Sequence, residues 1–316
     1  MPEQPDRQAF QELSAELSVD LATMHLIEAL AEAPANARMA SLFQRELERI
    51  RALGEASAGR LEACVGAFEL PTLLFAPGWF YRSNPETGAD FARQRELFDR
   101  LGVRTQLIPV IETGTVERNA AIIAEAVREL DRAGQAAILV SASKGGPEVA
   151  HALGHVLAPD ETGTVQAWIN VGGLLLGAPL ADWAEAWPQR WLTGLYYWYE
   201  GLDPTGSIAS LTTERSRARF ARQTIPEHVL IVNFVGVPLS GHISPGAEFG
   251  YARTRPIGPN DGLTAIVDEL AHGGAAILQV GLDHYYRDPE LDLKTLALAL
   301  TVMIELGHAV PEACAP

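Results

Sequence analysis

The sequence predicts an α/β fold: a mostly parallel sheet of about six strands with helices on both faces. Three observations carry that prediction. Short apolar, β-branched runs alternate with segments whose apolar residues recur at three- and four-residue spacing. The alternation holds from about residue 70 to 310, with no tandem repeat and no low-complexity linker. The chain has 316 residues, enough for one large domain with a sizeable core.

The elements follow in order. Residues 1 to about 65 read as helical and as packed on the main domain. "FQELSAELSVDLATMHLIEALAEA" and "MASLFQRELERIRALGEA" carry helical spacing, with "PAN" as a break. Then "PTLLFAP" is a strand and "GADFARQRELFDRLG" a helix. "VRTQLIPVI" is a strand and "VERNAAIIAEAVRELDRAG" a helix. "AAILVSA" leads into the helix "PEVAHALGHVL". "VQAWINVGG" is a strand, followed by an aromatic-rich helical insert at about 180–225. "HVLIVNFVGVP", the helix "LTAIVDELAHGG", the strand "AAILQVGL" and the helix "LKTLALALTVMIEL" complete the set. The main domain is thus expected over 66–316.

The net charge of −16 disfavours nucleic acid and anionic membranes as partners. No apolar run reaches the roughly 20 residues of a spanning helix, and "MPEQPDRQAF" lacks the apolar core of a signal peptide. Of the two cysteines, Cys314 lies in the tail "PEACAP", so a disulfide with Cys64 is not expected. Together these readings give cytoplasmic as the expected location.

Ser143 sits where the third strand turns into a helix, in "LVSASKGG". Functional groups in open α/β sheets gather at the carboxyl ends of strands. Its neighbours two away, Ser141 and Gly145, are small. That is the small-x-nucleophile-x-small pattern of a nucleophile elbow, whose strained turn leaves no room for larger side chains. The plain alternative is a serine capping a helix. A serine needs a base. His284 in "GLDHYY" follows the last strand, and Asp261 in "GPNDGL" follows the fifth, which gives the order Ser, Asp, His. His242 is the reserve base and Asp182 the reserve acid, with Asp283 ranked lower. Asp261 could equally cap a turn. His151 and His155 stand four apart, without a third metal ligand nearby, and read as packing or surface residues. The backbone N–H groups of Lys144 and of Trp79 in "FAPGWFYR" are the candidate oxyanion donors.

"PGW", "SASKGG", "GPNDGL" and "GLDHYY", in this order, resemble the α/β-hydrolase superfamily, and the "NDGL" loop is similar to that of bacterial lipases and esterases. The resemblance covers roughly residues 70–310. It implies a serine hydrolase with Ser143 as nucleophile, His284 as base and Asp261 orienting it, and no metal or organic cofactor. Two features depart from the family pattern. Its first two strands are replaced by the helical N-terminus, and Ser141 replaces the first elbow glycine.

The expected activity is cleavage of carboxylic esters. Thioester cleavage or acyl transfer on the same triad, or a non-catalytic binding protein on the same fold, are the alternatives. Trp183, Trp187 and Trp191 are spaced by four in the insert, with Tyr196, Tyr197, Trp198 and Tyr199 after them. They are the candidates to wall an apolar substrate pocket.

Overall fold

The structure is a computed structural model that describes residues 5–191, 206–270 and 274–315. Its centre is a six-stranded, all-parallel sheet in the order β2-β1-β3-β4-β5-β6. The strands are β1 Thr72–Ala76, β2 Thr105–Leu107, β3 Ala137–Ala142, β4 Val165–Val171, β5 Leu230–Val237 and β6 Ala275–Val280. β1 is buried along its whole length and β3 up to its last residue. This is why both read as continuous apolar runs rather than alternating ones. β2 is shorter than the run "VRTQLIPVI" suggested. It is the edge strand, and Pro109 has no N–H to continue a ladder.

The helices before the sheet are α1 Arg7–Glu16, α2 Val19–Glu32, α3 Pro34–Ala56 and α4 Ala58–Ala67. Their starts follow ordinary capping chemistry. Ser18 accepts from the Leu21 N–H, Ser57 from that of Arg60, and Pro34 opens α3 where a missing N–H costs nothing. Met39, Phe43, Leu47, Ile50 and Leu53 of α3 join the core on one face of the sheet, where α3 packs on β6 and on the last helix. The same face receives α5 Ala92–Arg100 and the last helix, Leu291–Glu305.

The opposite face is covered by α6 Val116–Arg132 and α7 Gly145–His151. α6 starts at Thr115, which accepts from the Arg118 N–H, and it buries Ala120, Ile123, Ala124 and Val127. After α7 the chain widens into a π-turn at Ala152–Val156.

Two expectations fail. "LTAIVDELAHGG" is not a full helix. Within its described residues there is a 3₁₀ turn, Ile266–Glu269, and the chain before it is tied by the Asn260–Ala265 bridge and the Ile266 N–H to Pro259 bond. And Cys64 is joined to Cys314 in a disulfide. The tail folds back through the turn Glu312–Cys314 onto α4, so a separation of 250 residues in sequence does not keep the sulfurs apart in space. The cysteines therefore lend no support to a reducing compartment. Among the described residues no helix is long and apolar enough to cross a membrane.

Candidate active site

β3 ends at Ala142, and Ser143 follows at φ +51°, a conformation that costs a non-glycine residue. The surroundings hold it there. The Ser143 N–H donates to Val171 of β4, and its carbonyl accepts from Gly146 and Leu174. A side chain at Gly145 would lie 2.6 Å from the Ala76 carbonyl oxygen, and one at Gly146 would lie 2.7 Å from Gly173 Cα. The elbow helix thus lies directly on β1 and on the turn after β4. Ser141, in the place of the first elbow glycine, is fully buried and accepts from Trp168 Nε1 at 2.8 Å. Its hydroxyl is engaged in the sheet interior and is not at the site.

Ser143 Oγ lies 2.9 Å from His284 Nε2. His284 Nδ1 is hydrogen-bonded to Asp261 Oδ2. The two loops are also joined through the backbone, where the His284 N–H donates to the Asp261 carbonyl at 2.9 Å. Asp261 makes both sets of contacts at once, one per oxygen. Oδ1 accepts from the N–H groups of Leu263 and Thr264 at 2.8 Å, which forms the turn, while Oδ2 holds the histidine. Burial alone would raise the Asp261 carboxyl. The His284 charge and hydrogen bond, with the Thr264 and Leu263 N–H groups, outweigh it and hold the carboxyl below its ordinary value.

The reserve residues are occupied elsewhere. Asp182 accepts from the Thr213 N–H and hydroxyl, at the start of the helix Thr213–Phe220. Asp283 braces its loop through the N–H groups of Ser244 and Tyr285. His242 Nδ1 accepts from the Leu239 N–H in an exposed turn. His151 stacks on His155 at 4.8 Å and contacts Gln223. Burial, with His155 and Arg219 nearby, lowers its pKa to about 4.

Two buried groups behind the triad were not singled out in the sequence. Glu269 is fully buried, neither of its carboxyl oxygens accepts from a described donor, and it lies against Asp261. Burial first, and then the negative charges of Asp261 and Asp268, push its pKa well above the ordinary glutamate value, which favours the neutral form. The second is an ion pair, Lys144 Nζ to Glu148 Oε1, 2 % and 0 % exposed. Asn119 also donates to Glu148 and pairs with the Ile111 backbone in both directions. This network fastens the elbow helix to the loop after β2. Its sequence signal is the acid four residues after the lysine, the spacing that brings side chains together on a helix.

Lys144 therefore turns its side chain inward. At the other proposed oxyanion donor, the chain at Gly78 passes close to the serine: a Cβ there would lie 3.5 Å from Ser143 Cβ. The Gly78–Trp79 peptide is thereby held beside the nucleophile, and the Trp79 ring stacks on Phe80 at 5.0 Å.

A cavity of about 960 Å³ opens from Ser143 and His284. Of the three tryptophans proposed to wall it, Trp183 does so, packed edge-on against Phe249 and facing the Arg253 guanidinium. Trp187 and Trp191 do not. They are 81 % and 76 % exposed and lie outside the cavity lining. The helix Pro179–Glu185 ends before Ala186, so the four-residue spacing does not continue as one stripe. Tyr196, Tyr197, Trp198 and Tyr199 lie outside the described residues.

No family model matches the sequence, and no curated protein matches it either. Solved structures do. A metagenomic carboxyl esterase superposes with a TM-score of 0.57 at 24% identity, over 75% of this chain and 74% of that one. The mature form of a Bacillus licheniformis lipase gives 0.56 at 23%, over 68% and 85%. Its propeptide form gives 0.58 at 22%, over 72% and 50%. The fold is that of the α/β-hydrolases.

Proposed function

We propose that this protein is a serine hydrolase that cleaves carboxylic esters with an apolar acyl group. One observation carries the reading: a serine held at positive φ on a strand-to-helix turn, 2.9 Å from a histidine that is itself bonded to a buried aspartate. Each part has a chemical task. His284 Nε2 takes the Ser143 proton as Oγ bonds to the ester carbonyl carbon. Asp261 fixes the tautomer that leaves Nε2 free to do so and stabilises the imidazolium that forms. The carbonyl oxygen, now an oxyanion, is received by the N–H groups of Lys144 and Trp79. His284 then returns the proton to the departing alcohol. Water, activated by the same histidine, releases the acid from the acyl-enzyme. The His284 and Asp261 side chains are almost entirely shielded from water, which strengthens the bond between them. The proposal is supported by the carboxyl esterase and the lipase among the solved structures that share the fold.

The direct test is labelling with a fluorophosphonate probe, followed by identification of the modified residue. Wild type should label at Ser143, and Ser143→Ala should neither label nor turn over p-nitrophenyl acetate while it remains folded. Labelling elsewhere, or full turnover by Ser143→Ala, would overturn the proposal.

A further inference from the structure

The cavity has two arms. One lies under the insert, lined by Leu180, Trp183, Ile208, Leu211 and Phe249. The other runs down from Ser143 along the face of the sheet. Ile138, Val140 and Ala142 of β3 line it at every second position, as do Leu73 and Phe75 of β1 and Ile169 and Val171 of β4. Its outer wall is one stripe of the last helix: Leu291, Lys294, Thr295, Leu298 and Ala299, at three- and four-residue spacing. Phe91 and Phe98, beside and in α5, close the side.

The polar side chains on the walls of this arm are Gln94, one turn after Phe91 in α5, and Arg93, Lys294 and Thr295. Arg93 pairs with Asp292 and Lys294 with Asp288. The Thr295 hydroxyl donates to the Leu291 carbonyl, so it offers a ligand no free donor. Beyond these groups the arm is lined by Leu73, Ile138, Phe98, Leu298 and Ala299, all apolar. Water gains nothing there, and an apolar guest fills space that the packed core leaves open.

Two independent rulers give its depth. Ile138 to Ala142 spans roughly 13 Å at the rise of a strand. Leu291 to Leu298 spans roughly 10 Å at the rise of a helix. An extended alkyl chain advances about 1.3 Å per carbon, given a C–C bond of about 1.5 Å. The arm therefore takes about eight to ten carbons beyond the carbonyl.

We propose that this sheet-side arm is the acyl site, and that the protein acts on esters of unbranched, medium-length fatty acids of roughly 10 carbons, with the alcohol lying under the insert. The inference rests on the proposed ester cleavage and adds the site and the chain. Polar acyl groups do not match its apolar lining.

The experiment has three arms. In the first, kcat/KM is measured for p-nitrophenyl esters from acetate to palmitate. It should rise, by up to about fourfold per methylene, to a maximum near decanoate and then level off or fall. A maximum at acetate overturns the proposal. A parallel series of alkyl acetates varies the alcohol instead, and a steeper rise there would assign the sheet-side arm to the alcohol and overturn the proposal. In the second arm, Ile138→Phe and the milder Ala299→Leu narrow the floor and wall. The ratio of kcat/KM for decanoate over butyrate should fall at least tenfold in either folded variant. An unchanged ratio overturns the proposal, whereas a general defect lowers both values together and leaves the ratio alone. In the third arm, decanoate binding to Ser143→Ala is measured by calorimetry and needs no turnover. If no ester is cleaved yet decanoate binds and Ile138→Phe abolishes the binding, the ester-cleavage reading fails and the acyl site stands. If acetate is cleaved and decanoate does not bind, the acyl site fails alone.

Discussion

The two halves of this site are built in opposite ways. At the catalytic corner nearly every polar atom is tied. Asp261 takes three hydrogen bonds, His284 is held at both ring nitrogens and at its backbone, and Ser143 is held by Val171, Gly146 and Leu174. In the sheet-side arm the few polar groups are tied to one another, and the apolar walls define only a shape. The difference teaches where substitution should be felt. A hydrogen-bonded constellation fails as a unit, since each group sets the protonation and direction of the next. An apolar wall fails by degrees, one methylene at a time.

The largest effect is expected from breaking the corner. His284→Ala should lower kcat by roughly 10⁴–10⁶-fold, as triad deletions do. Asp261→Asn should cost about 10⁴, because an amide donates to Nδ1 and selects the wrong tautomer. Steady-state kinetics on a short ester check both. An Asp261→Asn enzyme within tenfold of wild type would mean that the corner is less coupled than its hydrogen bonds imply.

The next effect is on stability and concerns what backs the apolar half. The disulfide Cys64–Cys314 ties α4 to the tail behind the sheet face that carries the acyl arm. Cross-linking across so long a loop restricts the unfolded chain strongly. Cys64→Ser with Cys314→Ser, or reduction, should cost about 2–5 kcal/mol. Chemical denaturation with and without reductant measures it. The triad, at the other end of the strands, should keep its kcat on acetate below the new melting temperature.

A smaller effect, with a definite sign, tests the buried acid behind the corner. Burial and the charges of Asp261 and Asp268 favour the neutral form of Glu269 in the fold, where it also faces Tyr286. Arg7 and Arg217 are engaged by Asp268. Once unfolded it ionises as an ordinary glutamate. As pH rises through that ordinary value the unfolded state therefore holds fewer protons than the folded one, and stability falls, by up to about 1.4 kcal/mol per pH unit, until Glu269 ionises in the fold as well. Glu269→Gln removes that loss. Its stability relative to wild type should rise from pH 5 to pH 8. A relative stability that is flat or falls would show that Glu269 is not held neutral.

How much of this was legible in the sequence follows the same division. The order of strands and helices was legible because both faces of the sheet are covered and the apolar runs are long. The contact of Ser143, His284 and Asp261 was legible because Ser143 and His284 follow strands closely and Asp261 lies in the long connection after β5, all at the carboxyl ends of the strands. The shape of the apolar half was not. Ile138 and Val140 line the hollow and Leu139 packs against α6, yet the three read alike, since a period of two says which residues share a face and not whether that face is filled. The Cys64–Cys314 bond was illegible for a related reason: pairing depends on where the tail returns, and no local pattern encodes that. Glu269 looked like one acid of a helix that does not form.

The smallest effect separates the tryptophans that the sequence grouped together. Trp183 packs on Phe249, lies under the Arg253 guanidinium and lines the arm beneath the insert. Trp187 and Trp191 are mostly exposed and lie outside the lining. Loss of an aromatic ring that touches substrate removes contact area and leaves a void. Trp183→Ala should therefore raise KM for bulky alcohol esters by roughly tenfold, equivalent to about 1.4 kcal/mol. Trp187→Ala and Trp191→Ala bury nothing more and open nothing, so their kcat/KM should stay within about twofold, as for surface substitutions in general. The three variants are compared on one pair of substrates, a methyl and a benzyl ester of the same acid. A Trp183→Ala enzyme as unaffected as the other two would place the alcohol outside the insert arm. Losses shared equally by all three would mean that the helical spacing in the sequence, and not the packing around Trp183, describes how the insert meets its substrate.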